Sequence, residues 1–117
     1  MTQVPANPVR GEVSIDLGGG LIVVLRPAYD ELVAIEVETG RGMIDLARRF
    51  MDRTATLTET VAVVRAAARA AGNLPPDDLG KRLLAIGIIR VMAQVGAFIA
   101  AAISGGAEGN APGAGSV

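Results

Sequence analysis

The sequence predicts an α+β fold: one small domain in which an N-terminal β-hairpin precedes a bundle of four to five helices. Three observations predict it. Strict alternation over residues 12–17 is followed by three glycines and then a run rich in β-branched residues. After Pro27 the apolar period becomes helical and stays helical to about residue 104. The chain has 117 residues, enough for a single core and too few for two.

The hairpin comes first. Val13, Ile15 and Leu17 fall on one side of the first run, and Glu12, Ser14 and Asp16 on the other, the pattern of a half-buried strand. Gly18, Gly19 and Gly20 form a connection in which positive φ carries no steric penalty. A second strand follows over residues 21–26 and ends at Pro27. In the first helix Ala28, Leu32 and Ile35 share a stripe. Asp30 and Glu31 suit the positive end of the helix dipole, and Gly40 supplies the stop.

A second helix is expected over residues 43–53, with Met43, Leu46, Ala47 and Phe50 inward and Asp45, Arg48 and Arg49 outside. A threonine-rich break follows at 54–58. Thr58 is the expected N-cap of a third helix, with Glu59 in its first turn. That helix runs to about Ala71 and presents Val61, Val64 and Ala68 inward, Arg65 and Arg69 outward, before Gly72 ends it. Residues 73–76 form a turn, and Pro76, Asp77 and Asp78 signal a fourth helix.

Residues 83–104 are almost wholly apolar, with Arg90 the one charge and Gln94 the one amide. A membrane span needs roughly 20 apolar residues, and an arginine at its centre costs about 2.5–3.5 kcal/mol. The segment has no aromatic belt, no basic cluster follows Ser104, and Gly87 predicts a bend dividing two shorter helices. A buried or oligomer-facing helix is therefore expected, with a small membrane-anchored protein as the alternative. Ile88, Met92, Val95, Ile99 and Ile103 form a large-residue stripe. Ala93, Gly96, Ala100 and Ser104 form a small-residue stripe on which another helix can approach closely. Either ordinary core packing covers both stripes, or one of them meets a second copy or a partner.

The flanks differ from the middle. Residues 1–9 carry Pro5 and Pro8 and read as a flexible arm without a secretory signal; residues 105–117 are rich in Gly, Ala and Pro and are expected to be disordered. The compact domain is then 10–104. Net charge is −1, but residues 1–40 hold two arginines against six acids while residues 41–72 hold six arginines against three acids. These regions attract one another within the fold or between copies, or are simply solvated faces.

Chemistry is excluded more readily than assigned. Cysteine and histidine are both absent, which removes disulfides, thiolate ligands, the commonest general base and the commonest metal ligand. Asp30, Glu31, Glu36 and Glu38 cluster on the first helix without the aromatic platform of a glycosidase or the Asx-and-Gly loop of a calcium site. The three glycines lack the Gly-Lys-Ser/Thr of a phosphate loop, and Ser14, Ser104 and Ser116 have no base to activate them. Arg48, Arg49, Arg53, Arg65 and Arg69 sit in a chain that is slightly acidic overall and has only Tyr29, Phe50 and Phe98 as aromatics. Nucleic acid is not an expected partner. No enzyme activity, cofactor, metal or small-molecule substrate is expected.

The order of the short motifs resembles the gene-transfer-agent tail-assembly family of defective-phage particles and related tailed phages. The residues that carry the resemblance are Arg10-Gly11-Glu12, Gly18-Gly19, Leu25-Arg26-Pro27, Tyr29, Leu32, Ile35-Glu36 and Gly40-Arg41-Gly42, and it continues more loosely to about Ser104. Gly20 and the valine-rich second strand depart from the pattern. The resemblance implies a small cytoplasmic protein encoded near tail tube and tape-measure genes, a tail assembly chaperone that masks apolar helices of the tape-measure protein. The tape-measure protein, the tail tube protein and further copies of the chain are the implied partners. A structural, tube-associated component is the alternative within the same family, although a tube subunit needs a large sheet that closes into rings, and two short strands do not make one. Under the chaperone reading, Met92, Val95, Phe98 and Ile99 are the expected partner contacts.

Overall fold

The computed structural model describes residues 6–7 and 11–105. The expected arm over 1–9, apart from Ala6 and Asn7, and the expected tail beyond residue 105 lie outside the described residues. The fold is the predicted α+β arrangement: an antiparallel two-stranded hairpin followed by four helices.

Strands β1 (Val13–Asp16) and β2 (Ile22–Leu25) pair in the register Val13 with Leu25, Ser14 with Val24, Ile15 with Val23 and Asp16 with Ile22. The Leu17 amide donates to the Leu21 carbonyl at 2.7 Å and closes the loop, in which Gly18, Gly19 and Gly20 have φ of 88°, 62° and 82°. Any L side chain at these three positions is strained, so the glycine run sets the register. Ile15, Leu17, Val23 and Leu25 are buried, as the alternation requires. Val24 is buried as well, because the outer edge of β2 is covered: its amide donates to Asn73 Oδ1 at 2.7 Å and that of Arg26 to the Ala67 carbonyl at 3.0 Å. An open edge is thereby removed as a site of strand addition.

The helices are α1 (Tyr29–Thr39), α2 (Met43–Met51), α3 (Leu57–Ala70) and α4 (Leu79–Ile103). Gly40 caps α1 in the left-handed conformation, its amide bonded to the Glu36 carbonyl. All four residues expected to face inward from α2 are buried. The cap of α3 is Thr56, not Thr58. Its hydroxyl accepts from the Glu59 amide at 3.0 Å while the Glu59 carboxylate accepts from the Thr56 amide at 2.9 Å, a reciprocal capping box. Helix α3 packs against α1, β2 and α4, so its alanines Ala62, Ala66, Ala67 and Ala68 are buried along with Val63 and Val64. Val61, expected inward, is only half-buried and lies against Gly80. The predicted bend in α4 is present: Gly87 has φ 110° and ψ 94°, which breaks the helix after Ile86.

Candidate partner-binding site

Several motif residues that carry the resemblance serve as staples. Glu12, expected on the solvent side of β1, is 5% exposed. Its Oε2 receives Arg26 Nε at 2.7 Å, and its Oε1 receives the Asn7 amide at 2.9 Å. Gly11, at φ 76°, lies so near Pro27 that a Cβ would sit 3.2 Å from the proline ring. Glu36 Oε2 accepts the Met43 amide at 2.9 Å and so ties α1 to the start of α2. Arg41 reaches from the α1–α2 turn to Glu59 Oε2 at 2.6 Å, and Arg49, expected outside, turns in to Glu59 Oε1 at 3.1 Å. Burial opposes ionisation of Glu59, but the Thr56 amide and the two guanidiniums outweigh it and hold the carboxyl below its usual value. Glu59 raises the already high pKa of Arg41 further, with Asp45 adding to it.

These contacts divide the candidate chemical clusters. Of the four α1 acids, Glu36 caps α2 and Glu38 lies 3.8 Å from Arg65. Of the five arginines, Arg49 and Arg65 have acidic partners, while Arg48, Arg53 and Arg69 form no ion pair among the described residues. No group of three acidic, histidine or cysteine side chains that could hold a metal ion is found among the described residues. A cleft of about 370 Å³ between the hairpin and α4 holds Ser14, Asp16, Gly18, Ile86, Arg90 and Gln94. Asp16 accepts the Gly18 amide there at 2.8 Å, and Arg90 donates to the Ile86 carbonyl at 3.5 Å.

The most distinctive concave surface lies between α2 and the second half of α4. It is a groove of about 380 Å³. Ala93, Gly96, Ala97 and Ala100 line its α4 wall with Ile89 and Met92, and Ala47, Phe50, Met51 and Arg53 line the α2 side. Two packing facts create it. At Gly96 a Cβ would lie 3.2 Å from Phe50 Cβ, so glycine lets the two helices close at this point. Above the contact, alanines leave the space unfilled. Exposed Met51 and Ile89 stand at the margins, 72% and 65% accessible. Arg53 closes one end with φ 60°, a left-handed conformation that costs a non-glycine residue about 1 kcal/mol.

Of the four expected partner contacts, Met92 lines the groove and is half-buried. Val95, Phe98 and Ile99 have no exposed surface and belong to the core with Leu83 and Val91. In this conformation they hold α4 onto α2 and α3 and are out of reach of another chain. The small-residue stripe was legible from spacing; three of its four members line the groove, Ser104 being the exception. The α2 margin was missed. Its signal was weak, because Met51 falls at i+8 from Met43, on the edge of the stripe Met43, Leu46, Ala47 and Phe50, and so reads as one more core position.

Helix α4 is long and apolar enough to cross a membrane by length and composition. In this fold it contributes Leu79, Leu83, Val91, Val95, Phe98 and Ile99 to the core, while Leu84, Ile89 and Ile103 remain exposed.

Comparison with known proteins adds the family. A search of curated proteins and one of solved structures each gave no match. A family model described as phage tail tube protein, GTA-gp10, matches residues 10–105, the span that contains the hairpin, all four helices and the groove. This chain therefore belongs to the phage tail tube protein, GTA-gp10, family.

Proposed function

We propose that this chain is a non-enzymatic, cytoplasmic assembly factor for a phage-type tail, which shelters an apolar helix of the tape-measure protein in the α2–α4 groove until tube subunits replace it. One observation carries the reading: the groove has a floor of alanine and glycine, apolar margins and a cationic end. A small-residue floor admits the backbone of a second helix closely, and the larger side chains at the rim then cover its apolar stripe. Apolar surface on an unassembled partner is a liability for aggregation, and covering it is a sufficient task for a domain of this size. Membership of a phage tail family makes tail proteins the relevant partners.

The second reading is a structural component associated with the tail tube, which the family description favours. Two strands of four residues give little sheet from which to close a ring, and this supports the assembly role over a tube wall. Purification separates the two. An assembly factor co-purifies with the tape-measure protein from cells arrested before tube polymerisation and is missing from finished tails. Recovery at a fixed ratio to tube subunits in finished tails establishes the structural reading instead.

A further inference from the structure

Sulfur chemistry in this chain is confined to methionine, because cysteine is absent. Among the described residues the methionines are Met43, Met51 and Met92, and their surroundings differ. Met43 is a core residue, 8% exposed. Met51 and Met92 both line the α2–α4 groove, one from each helix, with Met51 72% exposed and Met92 half-buried. Around them the lining is alanine, glycine, Phe50 and Ile89, with Arg53 at one end. A thioether is apolar and its unbranched chain adapts to whatever it covers, whereas its sulfoxide is polar and accepts hydrogen bonds. The two most adaptable apolar side chains of the groove are thus also its oxidisable ones.

We propose that Met51 and Met92 form a modification site, at which reversible oxidation by a peroxide to methionine sulfoxide switches the groove from binding an apolar helix to rejecting it. The sulfur lone pair attacks one peroxide oxygen, so that an S–O bond forms and the O–O bond breaks. The proton of the transferred hydroxyl passes to the departing hydroxide, which leaves as water. Sulfur is oxidised by two electrons and the peroxide is reduced by two. Methionine sulfoxide reductase reverses the change with a dithiol, the oxygen leaving as water while the dithiol closes to a disulfide. A sulfoxide at either position sets a polar oxygen against the apolar stripe of an incoming helix, where it loses its water. Met51 reacts first because it is exposed, Met92 follows, and the core shields Met43. This switch rests on the sheltering role proposed above, as regulation of the same groove, but the order of oxidation needs no tail partner.

The test treats the full chain with hydrogen peroxide and reads each methionine by peptide mass. Anilinonaphthalene sulfonate, an apolar anion suited to an apolar groove with a cationic end, is titrated before and after. Met51 is expected to gain oxygen first, Met92 next, and Met43 at least about tenfold more slowly than Met51. Dye affinity is expected to fall at least about tenfold and to return after reductase treatment. A variant with Met51→Leu and Met92→Leu conserves volume and apolarity, and is expected to keep its circular dichroism spectrum and its dye affinity through the same treatment. Oxidation of Met43 as fast as of Met51, dye affinity indifferent to peroxide, or an equal loss in the leucine variant each overturns the switch. Co-purification with the tape-measure protein separates the switch from the role it regulates. Capture that survives oxidation of both methionines overturns the switch, whereas absence of capture by the untreated chain overturns the sheltering role and leaves the dye titration to decide the switch.

Discussion

The two ends of this molecule are held together by different physics. From the hairpin through α2, apolar burial is joined by directed polar contacts between elements: Glu12 with Arg26, Glu36 with the Met43 amide, and Glu59 between Arg41 and Arg49. Among the described residues the polar side-chain contacts of α4 are local, as with Arg82 and the capping residue Asp78, and attachment relies on Leu83, Val91, Val95, Phe98 and Ile99. The polar half carries the recognisable motifs; the apolar half, with α2, carries the groove. Recognisable residues and the candidate working surface are thus largely different residues.

The strongest way to break this comparison is to cut into the apolar half. Phe98→Ala is expected to cost about 3–5 kcal/mol, read as a lower urea midpoint, because Phe98 is fully buried. A cost below about 1 kcal/mol would mean that Phe98 is a surface contact after all. Glu59→Ala comes next. It removes a cap and one side of two ion pairs, and about 2–3 kcal/mol is expected after allowing for the exposure of Arg41.

The same residue gives the polar half a pH signature from a buried carboxylate, whereas at the start of α4 the lowered carboxyl is that of exposed Asp78, paired with Arg82. The folded Glu59 carboxyl is held below its unfolded value, so its contribution is complete above the ordinary glutamate range. It is lost as pH falls through the lowered folded value. Urea melts between neutral and acidic pH should show this loss in the natural chain, and a shallower one in Glu59→Gln. Gly96→Ala is smaller still. The contact with Phe50 and the higher helix propensity of alanine oppose each other, leaving roughly 1 kcal/mol of destabilisation and a wider α2–α4 spacing. Arg53→Gly sharpens the comparison from the other direction: relief of the left-handed strain stabilises the chain by up to about 1 kcal/mol, while loss of the cation weakens capture of an acidic-edged helix. A gain in stability with unchanged capture would remove Arg53 from the site.

What could be read beforehand follows the same divide. Alternation and the glycine run were sufficient for the hairpin, and Gly87 for the bend in α4, because each is a local steric signal. The α3 cap was misplaced by two residues among three threonines. Only Thr56 has a glutamate three positions on, and that spacing selects it. The burial of Glu12 and Glu59 was not legible, since their arginines lie 14 and 18 residues away for Glu12–Arg26 and Arg41–Glu59. For α4 the period identified which residues share a stripe, but a helix apolar on every side does not say which stripe faces the core. Phe98 and its neighbours were assigned to a partner for that reason, and the quieter alanines were left to line the groove.

A photo-crosslinking residue placed at Ala93, inside the groove, and separately at Leu74, exposed in the α3–α4 connection, tests the central claim directly when the chain is co-expressed with its tail proteins. The account predicts crosslinks to the tape-measure protein from Ala93 and none from Leu74. Tape-measure crosslinks from Leu74 alone, or equally from both positions, would contradict it.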